Sequence, residues 1–381
     1  MLPALPRTFG RLTDVLASSL GSIIGTDNRL GFAKAHTVVN VLVDGLGAHN
    51  LKAAGGHATF LNAALARSKP ISCGFPSTTA TSITSFATGL WAGEHSIVGY
   101  KTFDRALGRE ANLLTGWDAQ QLPNKWQPHT TLAESAGAAG IDAVFIGPAA
   151  YQGSGFTEAT MRGARYLAGK SIADRIDVVL DLLAKRQDPR LVYLYIPELD
   201  QTAHSVGVES RAWLNLVEEL DGQIKRLSAA LGKGQALLLT ADHGVVDVPL
   251  EAQIYLDELS VNWQDVVCVA GDPRVNYIYL DDPLQGHAFE KQLQAVFESA
   301  VPGAVAVFTK QAAIDAGLFG PRVSDSAMSR LPDVFALGVK KVALYQRSFA
   351  PAYSLKMVGQ HGGLSQQELA IPLLGWGAFA D

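Results

Sequence analysis

The stretch TVVNVLVDGLG at residues 37–47 decides how this chain is read. Its first part is a β-branched apolar run broken only by Asn40, and Gly45-Leu46-Gly47 is a turn signal. An apolar run without alternation predicts a strand buried on both faces, as in a parallel sheet covered by helices. AVFIG (143–147), LVYLYI (191–196) and ALLLT (236–240) have the same character. Helical patterns alternate with them. IADRIDVVLDLLAKR (172–186) puts Ile172, Ile176, Val179 and Leu183 on one face, and after Val208 the residues Trp213, Val217, Leu220, Ile224 and Leu227 do the same. The expected fold is therefore α/β, a mostly parallel sheet sandwiched by helices. Asp44 ends the first strand at the edge where the loops of such a sheet collect.

Working outward, the pattern changes between 250 and 345. VNYIYL (275–280), a helix near 288–298, AVAVF (304–308), a helix near 310–316, then DVFAL and KVALY around Gly338 suggest a small α+β unit. The expected organisation is a catalytic α/β domain of residues 1–249 plus 346–381, with a cap insertion at 250–345. At the other end, Arg7 and Arg11 are placed as in a signal peptide, but LTDVLASSLGSIIG lacks a continuous apolar core. Leu12, Val15, Leu16 and Leu20 fit one face of a short amphipathic helix instead. No apolar run reaches the length of a membrane span.

Composition narrows the function. The 381 residues are 48% hydrophobic and 18% charged, as in a soluble enzyme and unlike a disordered chain. A net charge of −5 offers no basic field for a nucleic-acid duplex. Two cysteines, Cys73 and Cys268, exclude a dense disulfide scaffold and a Cys-rich zinc motif, and are read as buried free thiols. Cytoplasmic residence is the expectation, with no membrane partner.

Five segments carry chemistry. Asp44 before Gly-Leu-Gly is a hard oxygen ligand for a divalent cation, or simply a turn residue. In GFPSTTATSITSFATGL (74–90), Ala80, Ile83, Phe86, Ala87 and Leu90 mark one helical face, and Thr81, Ser82, Thr84 and Ser85 the other. Thr79 then stands at the helix N-terminus, where free N–H groups and the dipole favour an anion. A hydroxyl there attacks phosphorus if a metal lowers its pKa; without partners it is an N-cap. LYIPELDQTAH (194–204) supplies Asp200 and His204, an i, i+4 pair able to converge on one metal or to serve as cap and surface residue. LLLTADHGVVD (237–247) runs a buried strand into Asp242, His243 and Gly244, and GQHGGLS (359–365) sets His361 among glycines. Three carboxylates, three imidazoles and a threonine hydroxyl form one inventory for two-metal phosphoryl transfer. The histidines at 36, 49, 57, 95, 129 and 287 are read as structural or surface residues, His95 being the one that follows the helix of Thr79.

With these segments in this order, VDGLG, FPSTTATSITSFATGL, PELDQTAH, TADHG and QHGGL, the chain resembles the alkaline phosphatase superfamily, in its type I phosphodiesterase/nucleotide pyrophosphatase branch. The resemblance runs from the strand ending at Asp44 to the HGG loop. It implies an alkaline-phosphatase-like fold, Thr79 as nucleophile and two divalent metal ions, zinc being favoured by the mixed carboxylate and imidazole set. It further implies Asp44, Thr79, Asp242 and His243 around one metal, and Asp200, His204 and His361 around the other. The chain departs from the branch's pattern at Ser82, where an Asn is expected to help hold a phosphoryl oxygen; Ser82 is carried as a catalytic candidate on its hydroxyl alone.

The substrate implied is a small phosphodiester or nucleotide pyrophosphate, with Tyr100, Trp117, Trp126 and Tyr151 as candidates to stack on a base. A phosphomonoesterase or phosphonate hydrolase on the same scaffold is the alternative. No Arg lies near Thr79 in sequence to clamp two phosphoryl oxygens, and the x-Pro-x-Arg context of a sulfatase is absent. A metal-stabilised binding protein for a phosphorylated ligand, without turnover, is the alternative of another class. The complete set of hydroxyl and ligand residues argues against it, because a sensor needs no nucleophile.

Overall fold

The computed structural model describes residues 5–6, 8–117, 123–185 and 189–380; Arg7 and Arg186, both part of the readings above, lie outside them. The run at 37–47 forms β1 (Thr37–Val43), buried at every position. β2 (Asp142–Gly147), β3 (Arg165–Ala168), β4 (Arg190–Ile196) and β5 (Gln235–Ala241) run parallel to it. They make a six-stranded sheet in the order Leu374–Gly377, β5, β1, β4, β2, β3. Only the C-terminal strand Leu374–Gly377 is antiparallel to its neighbour. Asn40, the polar break in β1, is accommodated because its Oδ1 accepts from Ser19 at 2.7 Å and its Nδ2 donates to the Val192 carbonyl.

Helices cover the sheet. α1 (Leu12–Ile24) buries the face expected of it and packs on α2 (Thr79–Thr88). α3 (Ile172–Ala184), α4 (Glu198–Val206) and α5 (Arg211–Ala229) follow their strands, and the apolar stripes read from the sequence are buried in α3 and α5. α2 differs from its reading. Both faces are buried, the hydroxyl face included. Thr84 and Thr88 donate to the carbonyls four residues back, each at 2.7 Å, which lets a polar helix face go inside without unpaired hydroxyls at those positions.

Residues 250–345 contain a four-stranded antiparallel sheet: β6 (Val266–Asp272), β7 (Val275–Leu280), β8 (Val305–Thr309) and β9 (Val334–Gly338), in the order β6, β7, β9, β8. Alternate residues face opposite ways. Ile278, Leu280, Val305, Val334 and Ala336 meet Phe289, Leu293 and Phe297 of α6 (Gly286–Ala300). Tyr277, Tyr279, Phe308, Phe335 and Leu337 instead join the core of the large sheet. Phe75, just ahead of α2, packs against Phe319 and Phe335 with centroids 5.5 and 6.4 Å away. The second sheet is thus welded to the first rather than hinged over it. Two fully buried side chains reinforce the weld: Arg274 at the β6–β7 turn and Glu368 beyond the HGG loop form a bidentate pair, both contacts 3.1 Å. Both cysteines are free thiols, but only Cys73 is buried; Cys268, on the edge strand β6, is partly exposed. Among the described residues no helix is long and apolar enough to cross a membrane.

Candidate active site

Three neighbouring strands build one edge of the site. Val43 on β1 is level with Ile196 on β4 and Ala241 on β5. The residues that follow, Asp44, the entry into α4 and Asp242-His243, therefore emerge side by side at the carboxyl edge of the sheet. α4 sets Asp200 and His204 one turn apart, with Oδ2 and Nε2 at 3.0 Å. Thr79 is the first residue of α2, after an extended Thr78. His361 arrives after Gly359–Gln360, which pairs with Val246–Asp247 just beyond His243. The turn after β5 requires glycine: a Cβ on Gly244 would lie 2.0 Å from the Gln367 carbonyl oxygen.

All seven residues converge. Thr79 Oγ1 lies 3.2 Å from His243 Nε2, which is 3.5 Å from Asp44 Oδ1 and 3.6 Å from Asp242 Oδ2. His361 Nε2 lies 3.3 Å from His204 Nε2 and 3.9 Å from Asp200 Oδ1. Two sets have ligand atoms within 4.8 Å of one another: Asp200, His204 and His361, and Asp44, Asp200 and His243. Asp200 thus faces both sets.

Each imidazole is turned the same way. Nδ1 of His204, His361 and His243 meets the carbonyl oxygen of Gly359 (2.8 Å), Ser77 (3.0 Å) and Gly244 (3.3 Å). A carbonyl only accepts, so Nδ1 carries a proton and Nε2 points into the cluster, where its lone pair, once His204 has given up its second proton, is available to a cation. Asp44 Oδ1, Asp200 Oδ1 and Asp242 Oδ2 are buried with no hydrogen-bond partner among the described residues. Their sister oxygens on two of these carboxylates are held: Tyr195 donates its hydroxyl to Asp44 Oδ2, and the Gly45 and His243 N–H groups donate to Asp242 Oδ1. Buried carboxylate oxygens and inward-facing Nε2 atoms, all but Asp200 backed by an outer hydrogen bond, fit divalent cations.

The electrostatics agree. Burial, then the charges of Asp242 and Asp200, push the Asp44 carboxyl well up; burial and Asp200 push Asp242 up to about 7. Burial alone would also raise Asp200, but His204, by charge and hydrogen bond, outweighs it and brings it down. His204 is carried up to about 9, Asp200 overcoming the downward pull of burial. Burial lowers His243 and His361. So many anionic groups repel one another in a dry site, and a cation among them reverses the balance.

A cavity of about 420 Å³ opens from the cluster. Thr79, Asp44, Asp200, His204 and His361 line it, with Tyr100 and Tyr151. Ser82 does not: one turn into α2, its hydroxyl is buried without a partner and away from the cavity. Trp117 and Trp126 also lie elsewhere, edge to face with each other at 6.2 Å, with Trp126 beneath the Arg330 guanidinium. His95 is structural. Its Nδ1 accepts from the Ile97 N–H at 3.1 Å, so Nε2 donates to Ser85 Oγ at 2.8 Å and activates nothing. Sequence reasoning missed Tyr195, whose signal was its place two residues before Pro197 at the end of β4. It also missed Tyr345, Phe349 and Tyr353, an aromatic run on the cavity wall, and Asp272 and Asn276 at the β6–β7 turn. Burial pushes the Asp272 carboxyl up to about 7.

The sheet order, with carboxylates, imidazoles and a threonine hydroxyl gathered at its carboxyl edge, fits an α/β phosphoric-ester hydrolase of the alkaline phosphatase superfamily. The model of the type I phosphodiesterase/nucleotide pyrophosphatase family matches residues 38–364, and the chain belongs to that family. Among solved structures, it is similar to human ectonucleotide pyrophosphatase/phosphodiesterase 5, with a TM-score of 0.67 at 17% identity over 89% of this chain and 87% of that one. The murine counterpart gives 0.65 at 18% identity, over 89% and 88%. An inactive variant of the murine protein in complex with AMP gives 0.66 at 17%, over 90% and 88%. At these identities the likeness supports the fold; the family match supports the hydrolase class.

Proposed function

We propose that this protein cleaves a small phosphodiester or nucleotide pyrophosphate through a phosphothreonine intermediate on Thr79, with two divalent cations, zinc in the first instance, held by the seven residues. The observation that carries this reading is the convergence of Thr79 with three buried unpartnered carboxylate oxygens and three imidazole Nε2 atoms at one cavity mouth. Asp44, Asp242 and His243 lie on the Thr79 side, and Asp200, His204 and His361 on the other. Bound cations supply Lewis acidity, favouring the Thr79 alkoxide at neutral pH and neutralising charge on the phosphoryl and departing oxygens.

The chain's own residues do the rest. The N-terminus of α2 aims backbone N–H groups at the bound phosphoryl oxygens. Thr79 Oγ1 gives up its proton to solvent and attacks phosphorus, forming an Oγ–P bond as the bond to the departing alcohol oxygen breaks. That alcohol takes a proton and leaves through the cavity. Water then adds to phosphorus, the Oγ–P bond breaks, and Thr79 is reprotonated. Ser82, whose buried hydroxyl does not line the cavity, is given no role in this reading. A mononucleotide product is in keeping with the AMP bound by the murine neighbour. The aromatic walls, Tyr100, Tyr151, Tyr345, Phe349 and Tyr353, suit a base or another flat or cationic group.

The test is steady-state hydrolysis of bis-(p-nitrophenyl) phosphate beside p-nitrophenyl phosphate by zinc-loaded protein. Preference for the diester supports the reading. Preference for the monoester moves the enzyme to the phosphatase side of the superfamily, and binding without hydrolysis of either returns it to a sensor.

A further inference from the structure

Among the described residues, four oxygens on the cavity wall are buried without a hydrogen-bond partner: Asp44 Oδ1, Asp200 Oδ1, Asp272 Oδ2 and Asn276 Oδ1. The first two belong to the metal ligands. The other two do not, and both come from the turn that joins β6 to β7. Each residue is only 6% exposed. Asp272 lies against the loop of His361, since a Cβ on Gly362 would sit 3.0 Å from Asp272 Cβ and 3.6 Å from its Oδ2. It therefore borders the second ligand set.

The orientation of Asn276 is fixed by its partners. Its Nδ2 faces two carbonyl oxygens, those of Asp272 at 2.8 Å and Leu344 at 3.3 Å, and carbonyls only accept. The amide oxygen must then be the free atom. The Asp272 carboxylate takes a hydrogen bond from the Tyr100 backbone N–H, which leaves Oδ2 open. Of the cations on this wall, Lys101 is engaged by Glu110 at 2.8 Å and His204 by Asp200 at 3.0 Å. Two acceptors, one of them a carboxyl group, thus face the cavity with no donor to them among the described residues. Buried polar atoms are seldom left this way unless a ligand completes them.

We propose that Asp272 and Asn276 form a subsite for a primary ammonium group carried on one arm of the phosphodiester substrate. This rests on the phosphodiester reading above and narrows it. A hydroxyl carries one proton and satisfies one of the two acceptors. An ammonium brings three N–H donors and the positive charge that a desolvated carboxylate needs. The aromatic rings of Tyr100 and Tyr353 on the same wall add a surface favourable to a cation.

The experiment follows three p-nitrophenyl diesters by phosphorus NMR, so that breakage of either ester bond is seen. Their second arms are 2-aminoethyl, 2-hydroxyethyl and propyl, close in size and differing in donors and charge. With zinc-loaded wild type, kcat/KM for the 2-aminoethyl diester is expected to exceed that for the propyl diester on the order of tenfold or more, as for a hydrogen bond to a charged group. In Asp272→Asn, which keeps the side-chain shape, that ratio is expected to fall towards one. Equal turnover of all three by wild type overturns the subsite and leaves the hydrolase standing. So does a ratio that survives in Asp272→Asn. A 2-hydroxyethyl diester as good as the 2-aminoethyl one removes the ammonium assignment. No turnover of any diester removes the hydrolase reading and this inference together.

Discussion

Breaking the Arg274–Glu368 pair with Glu368→Gln tests whether the second sheet is anchored by a buried charge. Both side chains are essentially without solvent contact, at 1% and 0% exposure. Arg274 also donates to the Lys340 and Val342 carbonyls, at 2.6 and 2.5 Å, and Glu368 accepts from the Gly363 N–H at 2.8 Å. Glutamine preserves the shape and an acceptor but leaves the guanidinium buried without a counter-charge. Removing one partner of such a pair costs about 3–5 kcal/mol, whereas replacing both costs much less. The expected loss is therefore about 3 kcal/mol for Glu368→Gln, with partial recovery in the double variant Arg274→Met/Glu368→Gln. A double-mutant cycle should give a coupling on the order of 2 kcal/mol. Urea unfolding followed by tryptophan fluorescence, with chelator present throughout, reads this without the contribution of metal binding. The pH dependence has a definite sign. Burial alone would raise the Glu368 carboxyl, but Arg274 outweighs it and holds it below its ordinary 4.5. Its contribution is thus fully present above 4.5 and fades as pH falls through the depressed folded value. Wild type and Glu368→Gln should differ at pH 7 and converge in acid. Additive single variants, or a loss under about 0.5 kcal/mol at pH 7, would refute the anchoring role.

Three further outcomes concern the metals. His243→Ala and His361→Ala should each lower bound zinc measured by plasma mass spectrometry, and undiminished stoichiometry in either would remove that residue from the ligand set. Tyr195→Phe deletes the hydroxyl that holds Asp44 Oδ2 and should weaken zinc about 10–100-fold in chelator competition, as loss of an outer hydrogen bond does; unaltered affinity would make that contact incidental. Because His204 is carried up to about 9 in the metal-free cluster, it holds a proton at pH 7 that zinc must displace. Calorimetry in buffers of different ionisation heat should show proton release on zinc uptake and affinity rising with pH up to about 9, and uptake without proton release would contradict this.

The strands that place the site were legible because they are buried on both faces. β1, β4 and β5 are largely apolar runs, β1 interrupted only by Asn40, that lead into Asp44, Pro197 and Asp242, so the sequence marked both the sheet and its carboxyl edge. Two outer strands left no such mark: Arg165–Ala168 is half-exposed at the sheet edge, and Leu374–Gly377 carries two glycines. The proposed ligands were legible as residue types beside strand ends and glycines. Their outer partners were not, because Tyr195 lies inside an apolar strand where a tyrosine reads as core. Ser82 was placed correctly on α2, but helical periodicity cannot say whether a polar face meets a cavity or a neighbouring helix; here it goes inside. Asp272 and Asn276 escaped notice because a β-hairpin turn with Asp-Pro-Arg is locally ordinary, and only the tertiary fold brings it against the loop of His361.

The central claim, covalent catalysis by Thr79, is tested most directly by rapid acid quench of zinc-loaded protein with bis-(p-nitrophenyl) phosphate, followed by peptide mass spectrometry. A p-nitrophenylphosphoryl ester on Thr79, absent from Thr79→Ala protein that still binds its metal and no longer turns over, is the predicted result. Substantial turnover by Thr79→Ala, or the adduct on another residue, would contradict it.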